Sequence, residues 1–383
     1  MTFTAVASGP ALGTRAAAVV MQPTTACNLD CTYCYLPLRT AGRRMTPAVA
    51  AATADTVNRW SGPGPGRRTQ VYWHCGEPLA VGRRHLASLM APFHGVRHCV
   101  QTNATLIDDA WCEFFHQHQV RVSVSIDGPG QGSMRRTRAG NPANEQILAG
   151  LAALRRHQIP LAALTVVSDP DPDRAAALLE FFRELGCTRL GVILEKRLGD
   201  HAPPVRHDRS RIEEFWIALA EAWLKDPGLP VREIEHSLHA VARLTGDSPL
   251  PTPHIDPLPT ITWSGDVVLI APELAGFRDR EFGDFSSGNV LLDPLDTIIA
   301  EAAQRTWWLQ DHLAAARECA TRCRHRPYCN GPDPATSYFE HGDLRRGATT
   351  HCQDSVIARA DAICAPLIAR APASRRPTRP AKT

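Results

Sequence analysis

Pro23-Thr24-Thr25-Ala26-Cys27-Asn28-Leu29-Asp30-Cys31-Thr32-Tyr33-Cys34-Tyr35-Leu36 is the stretch on which the reading of the whole chain turns. Three thiols in one short loop, spaced C-x3-C-x2-C, can ligate three irons of a 4Fe–4S cubane and leave the fourth iron without a protein ligand. An open coordination position on a metal is where a small molecule can bind and react. The rival reading is a structural zinc knuckle. A closed zinc site wants a fourth Cys or His nearby, and none follows within the loop.

Composition narrows the class. At 383 residues and 44% hydrophobic, the chain can bury one large core and a smaller appended one. A formal net charge of +3 is close to balance and implies no strong attraction to nucleic acid or an anionic membrane surface. Much of the visible basic excess lies after Arg370, in Arg375, Arg376, Arg379 and Lys382, and residues 367–383 read as a disordered basic tail. No stretch approaches the length of a membrane span, and the apolar run Ala16–Met21 is too short for a signal-peptide core, so it reads as a strand. Twelve Cys without a secretion signal argue for metal ligation in a reducing, cytoplasmic setting rather than for a disulfide framework.

The first half alternates short β-branched runs with amphipathic helical stretches, the pattern of repeated βα units. Strands are expected near Ala17–Gln22, Thr69–Trp73, His98–Gln101, Val120–Ile126, Leu161–Val167 and Arg189–Leu194. Helices are expected over Thr46–Trp60, Arg84–Phe93, Asp108–Gln117, Asn144–Arg156 and Asp173–Leu185. Six such units suit an α/β fold, either a partial (βα)6 barrel of the TIM type or an open parallel sheet, with functional residues at the C-terminal strand ends. Two helices, Ser210–Leu224 and Val231–Leu244, follow a Pro- and charge-rich linker at 197–209. A hairpin-like segment, Thr260–Ile270, turns at Ser264-Gly265-Asp266, and one helical pattern covers Pro294–Ala316. The expected division is a flexible N-terminus (1–15), a barrel (16–196), a linker with bridging helices (197–256), a cysteine-bearing C-terminal domain (257–366) and the tail (367–383).

The spacing of Cys27, Cys31 and Cys34, with the aromatic Tyr33 just before the last of them, resembles the radical S-adenosylmethionine (SAM) enzymes, whose open iron chelates the amino and carboxylate groups of SAM. Trp73-His74-Cys75-Gly76-Glu77-Pro78-Leu79 resembles that family's glycine-rich SAM-binding motif, in which a flexible Gly lets backbone approach the ammonium and a Glu can accept from it. Cys75 stands where the family usually has Gly or Ala; a small buried filler is the plainer reading, an extra metal ligand the other. Gln101-Thr102-Asn103 and Ser125-Ile126-Asp127-Gly128-Pro129 look like the strand ends that face the ribose and carboxylate of SAM. Ser125 and Asp127 share one strand face. Arg135, Arg136 and Arg138 follow, with Arg136 and Arg138 the expected guanidinium partners of the SAM carboxylate and a solvated basic loop the alternative.

Cys319-x3-Cys323-x5-Cys329, with Cys352 further on, can close a second cubane or a tetrahedral zinc site. The layout resembles the SPASM domain, the auxiliary-cluster module of peptide-modifying radical SAM enzymes. The full SPASM pattern has seven Cys and two auxiliary clusters. Here Asp333 stands four residues after Cys329 where a Cys would be, and the hairpin carries no Cys, so two 4Fe–4S clusters are expected in all. Cys99, Cys112, Cys187 and Cys364 read as core residues.

Together with Ala271-Pro272-Glu273-Leu274 and Gly288-Asn289-Val290, these motifs look like SPASM-type maturases that install three-residue cyclophanes in ribosomally made peptides, notably those acting on Gly-Arg-Arg repeat precursors. The resemblance implies SAM cleavage to a 5′-deoxyadenosyl radical, hydrogen abstraction from a peptide β-carbon, and addition of the carbon radical to a nearby aromatic ring. Glu273 is the candidate base, by its position just after the hairpin, with a salt-bridged surface Glu as the alternative. The implied partners are a precursor peptide and a reductant such as flavodoxin or ferredoxin, with no nucleic acid and no membrane. Nothing before Ala17 is long enough for a winged-helix recognition module, so leader recognition is expected to come from a separate protein or from the C-terminal module, or to be unnecessary. The alternatives are another modification on the same scaffold (thioether formation, epimerisation or formylglycine formation) or a metal-stabilised peptide-binding module without catalysis.

Overall fold

The computed structural model describes residues 11–61, 68–129, 134–199, 206–245, 254–329 and 331–370. The expectations for residues 1–10, the linker at 200–205 and the tail beyond 370 lie outside the described residues.

Six parallel strands form the centre: β1 (Ala18–Met21), β2 (Gln70–Trp73), β3 (Arg97–Thr102), β4 (Arg121–Ser125), β5 (Leu161–Val167) and β6 (Arg189–Leu194). They pair in chain order. Register aligns Met21 with Trp73, Trp73 with Val100, Val100 with Val122 and Val122 with Leu161, so the loops that carry the motifs leave along one rim. Strand β5 alternates buried and half-buried positions along its length, while Val19, Met21, Val71, Trp73, Val100 and Val124 are fully buried. By register these positions share one face of the sheet, while the opposite face is half-buried along β5.

The crossovers are α1 (Pro47–Trp60), α2 (Arg83–Met90), α3 (Asp109–Gln117), α4 (Asn144–Arg156) and α5 (Ala175–Glu184). Their starts are legible chemistry. Thr46 caps α1 with Pro47 at its first turn, and Asp108 accepts from the Trp111 amide (2.8 Å) to cap α3. On α4, Ile147, Leu151 and Leu154 face the sheet, and Gly150 lies so close to the Ala104 carbonyl that a Cβ would come within 2.1 Å of it.

Two features depart from the sequence expectation. The hairpin β7 (Thr260–Ile261) and β8 (Val267–Val268) does not start a separate layer: β7 pairs parallel with β1, so an eight-stranded sheet runs β8-β7-β1-β2-β3-β4-β5-β6. A buried Thr260-Ile261 pair gains more hydrogen bonds on the open edge of β1 than in a free hairpin. Secondly, Ala11–Leu12 is not free; it pairs parallel with His254–Ile255.

After β6 come α6 (Arg209–Lys225) and α7 (Arg232–Thr245), both close to expectation. The pattern over Pro294–Ala316 divides into α8 (Leu295–Arg305) and α9 (Trp307–Arg322), because Thr306 is extended. That break brings Trp308 to 6.0 Å from Phe285, inside an aromatic cluster with Phe282 and Tyr338 (Phe285–Tyr338, 4.8 Å). Aromatic pairs of this kind are worth about 0.5–1.5 kcal/mol each beyond their buried area. Gly288-Asn289-Val290 also has a structural use: the Asn289 amide donates to Asp266 (2.8 Å) and to the Ser264 carbonyl (3.2 Å), closing the hairpin turn. Helix α10 (Pro334–His341) and a final run containing π-helical turns at Cys352–Ile357 and Ala360–Cys364 complete the C-terminal part. Among the described residues, no helix is long and apolar enough to cross a membrane.

Candidate active site

The loop after β1 is held from three sides. Thr25 and Cys27 amides donate to the Arg43 and Arg39 carbonyls, the Asp30 and Thr32 amides to the Arg136 and Met134 carbonyls, and the Ala26 carbonyl accepts from the Glu77 amide (2.8 Å). Cys31 is buried, and Cys27 and Cys34 are half-buried. Burial pushes the Cys27 thiol up to about 12, with Glu77, Cys34 and Cys31 adding to the rise; burial likewise pushes Cys31 up to about 11, against the pull of Arg135. The three thiols thus share one electrostatic neighbourhood. Among the described residues, no three His, Cys, Asp or Glu side chains converge on a single metal ion. A cubane has no need of such convergence, since each thiolate binds a different iron.

Gly76 lies hard against the cysteine loop. Its φ is +136°, and a Cβ there would meet the Thr24 carbonyl oxygen at 2.3 Å and that of Ala26 at 3.0 Å. Only glycine lets the strand end lie against the cysteine loop. Gly76→Ala is therefore expected to cost about 1–3 kcal/mol through backbone strain. Thermal melting and the iron retained after reconstitution check it; an unchanged melting temperature with full iron content would remove the close-packing argument.

Glu77 departs from the expectation. Its carboxylate is buried and already accepts from the Leu79 amide (3.0 Å), the Thr102 hydroxyl (2.8 Å) and the Asn103 amide (2.9 Å). Burial pushes it up to about 7 even against those donors. It ties the end of β2 to the end of β3 and holds the turn in shape. Pro78 opens the following 3-10 turn. What remains for an ammonium group at this rim is backbone carbonyl, not the Glu77 side chain.

Gln101 and Ser125 do come together, Nε2 donating to Oγ at 2.8 Å. Asn103 reaches into the cysteine loop, donating to Asn28 (2.9 Å) and approaching Cys27 Sγ at 3.8 Å. Asp127 turns toward the loop, not away from it: both of its oxygens accept from the Tyr33 hydroxyl (2.9 and 3.0 Å), and Arg135 pairs with it at 3.3 Å while lying over the Tyr33 ring. The sequence reading missed this Tyr33–Asp127–Arg135 lock; the alternation of Ser125 and Asp127 signalled a shared face but not its partner.

The two arginines named for the SAM carboxylate are engaged elsewhere. Arg138 donates twice to the Cys27 carbonyl (2.9 and 2.6 Å) and once to that of Arg39 (2.6 Å), and Arg136 to the Gly140 carbonyl (3.0 Å). These bonds brace the loop's backbone: Arg138 spends its Nε and Nη2 donors on it and keeps Nη1, while Arg136 spends a single Nη1 donor. Arg39, Arg136 and Arg138 also line a recess of about 380 Å³ beside Cys31.

Cys75 is fully buried with φ +66°, and burial pushes its thiol up to about 12. Cys99, Cys112 and Cys364 are buried and Cys187 half-buried. Cys319 lies in the last turn of α9, Cys323 at its C-cap, Cys329 after a 3-10 turn, and Cys352 at the first π-helical turn. Burial pushes Cys352 up to about 12, helped by Cys329, Cys323 and Cys319, so the four thiols face one another electrostatically. A Cβ on Gly347 would stand 2.6 Å from Cys319 Sγ, a close backbone approach that keeps room beside that thiol. Glu273 sits in the 3-10 turn Pro272–Leu274, whose next glycine, Gly276, backs onto Pro37 of the cysteine loop.

Both thiol sets fit iron–sulfur ligation: three on the first loop with a glycine cradle beside them, four in the C-terminal part. Comparison with known proteins agrees with the fold. Residues 21–182 match the family model of the radical SAM superfamily. The chain is 24% identical over 372 residues to a serine-type anaerobic sulfatase-maturating enzyme of Bacteroides thetaiotaomicron, covering 88% of this chain and 86% of the relative. It superimposes on anSMEcpe with bound AdoMet at a TM-score of 0.70, with 18% identity and 92% and 98% of the two chains covered. Streptococcus suis SuiB bound to S-adenosylmethionine matches at a TM-score of 0.63 with 13% identity, covering 89% and 78%. Both solved proteins have also been captured with peptides, anSMEcpe with Cp18Cys and SuiB with its precursor peptide SuiA. Residues 21–182 are thus a radical SAM domain, and the chain is an enzyme whose cofactors are SAM and 4Fe–4S clusters.

Proposed function

We propose that the chain is a maturase that crosslinks a ribosomally made peptide, joining the β-carbon of one residue to the ring of a nearby aromatic residue as a cyclophane. The observation that carries this reading is the place of Glu273, whose charge is felt by Tyr35 and Cys75 at the cysteine-loop rim and by Lys196 at the end of β6. With SAM bound at a reduced 4Fe–4S cluster, cleavage of the sulfonium bond supplies the 5′-deoxyadenosyl radical that takes a hydrogen atom from the peptide β-carbon. Cys27, Cys31 and Cys34 would hold that cluster; Gly76, Gln101, Asn103 and Ser125 line the rim where SAM would lie. Once the new C–C bond forms, the ring must give up one proton and one electron to regain aromaticity. Glu273 takes the proton, and Cys319, Cys323, Cys329 and Cys352 would hold the one-electron acceptor.

The substrate is a precursor peptide, the external electron source a small reductant such as flavodoxin or ferredoxin, and the setting the reducing cytoplasm. The sulfatase-maturating relatives favour a second reading, formylglycine formation; the four-Cys C-terminal set, with Asp333 in place of a further Cys, weighs toward the crosslink. Peptides encoded by small reading frames beside the gene test the choice. Cyclophane formation is expected to remove about 2 Da, to leave no group that reacts with an aldehyde reagent, and to suppress fragmentation between the joined residues. An aldehyde-reactive product would give the reaction to formylglycine chemistry, and an unchanged mass would point to epimerisation.

A further inference from the structure

Three charged side chains from three separate segments meet beside the rim. Lys196 lies two residues past the end of β6, Glu273 in the turn after the hairpin, and Asp333 at the N-cap of α10. Lys196 Nζ donates to Asp333 Oδ2 at 2.7 Å and stands 4.0 Å from Glu273 Oε1. The side chains keep only 16%, 24% and 23% of their exposure for Lys196, Glu273 and Asp333, so water screens them weakly.

Two carboxylates and one ammonium cannot all be comfortably charged in such a place, because the set then carries an unpaired negative charge. The contacts decide which carboxyl gives way. Asp333 has the direct ammonium contact on one oxygen, and its other oxygen accepts from the Thr336 amide (3.0 Å) at a helix N-terminus, where an anion is stabilised. Glu273 has the same ammonium only at second distance.

We infer that Lys196 and Asp333 are positioning residues that hold Glu273 as the proton-exchanging member of a shared-charge triad. This rests on the reading of Glu273 as the base. Directions of titration agree: burial raises Glu273, with Lys196 opposing and Asp333 reinforcing, whereas on Asp333 burial is outweighed by Lys196, His351 and the Thr336 amide together, which hold it well below the usual carboxylate range. A carboxyl raised in this way is a better proton acceptor from a ring carbon than an ordinary surface Glu. The other titratable or charged groups facing the triad are Tyr35 and Cys75 toward Glu273, His351 (3.8 Å) and His312 toward Asp333, and Arg232 toward Lys196. The aspartate that stands where the fuller module has a cysteine therefore links the C-terminal part to the barrel through Lys196.

The test is the midpoint of Glu273 protonation in the reconstituted enzyme, read from the infrared band of its protonated carboxyl. The band is assigned by its loss in Glu273→Gln. Lys196→Met removes the cation and is expected to raise the midpoint by about one unit or more; Asp333→Asn removes the competing anion, keeps a capping side chain, and is expected to lower it by a similar amount. The acid limb of product formation should move with each. Opposite shifts support the triad, since loosened packing would not give two signs. Unchanged midpoints, or shifts of one sign, overturn it. Should Lys196→Met fail to fold, Asp333→Asn decides alone: a midpoint that stays or rises overturns the inference. Full product yield in Glu273→Gln would instead remove the base assignment while leaving the infrared titration to judge the triad.

Discussion

Replacing Cys27, Cys31 and Cys34 together with Ala is expected to abolish reductive SAM cleavage and to lower the iron content of the reconstituted chain from about eight per chain to about four. The three thiols share one loop, and Arg138 and Asn103 hold that loop from outside, so the substitution removes ligands without touching the braces. The C-terminal set, Cys319, Cys323, Cys329 and Cys352, lies in other elements and should keep its metal. Iron and sulfide analysis after anaerobic reconstitution checks both statements. Persistent SAM cleavage would remove the assignment of the first loop. A parent protein with about four irons plus zinc, falling to no iron, would make the C-terminal site structural.

The second large effect is expected for Glu273→Gln. Loss of a positioned general base costs typically about 10²- to 10⁴-fold in rate. The loss should fall on product formation and spare SAM cleavage, because Glu273 lies in the turn after the hairpin and not on the cysteine loop. Glutamine keeps the size and some of the hydrogen bonding, so a collapse of fold is not the expected cause. In the parent protein, Glu273's affinity for protons is raised by burial, and a base works in its unprotonated form. Product formation should therefore climb as pH rises through that midpoint, whereas the variant should show no such limb. Quantifying 5′-deoxyadenosine and modified peptide side by side separates the two steps; full product yield in the variant would end Glu273's candidacy.

Much of the fold was legible because parallel βα units leave two signals at once. Apolar runs such as Leu161–Val167 mark strands with one face buried and the other half-buried, and caps such as Asp108 mark where the next helix begins. The hairpin's attachment to β1 was not legible, since edge pairing of a two-residue strand leaves no periodic trace. Nor was the break at Thr306, where the placement of Trp308 in the aromatic cluster outweighs a sequence that is helical on both sides. At the site, spacing identified the three Cys, and the resemblance pointed to Gly76 and Asn103, which meet the first loop, and to Gln101 and Ser125, which pair with each other. Neither identified their hydrogen-bond partners. Glu77 and Arg138 carry charges that, in sequence, look free for a ligand; folded, one closes the strand-end turn and the other braces the Cys27 carbonyl. Lys196 gave no signal beyond its position just past a barrel strand, and its value depends wholly on Asp333, far away in sequence.

The most direct test of the crosslinking account is mass spectrometry on a candidate precursor peptide whose aromatic rings are fully deuterated, incubated with reduced enzyme and SAM. Joining a β-carbon to the ring must expel one ring deuteron and one β-hydrogen, a loss of about 3 Da, with every other ring deuteron retained. A loss of about 2 Da with all ring deuterons in place, or no loss at all, would contradict it and assign the chain to a modification that leaves the aromatic ring intact.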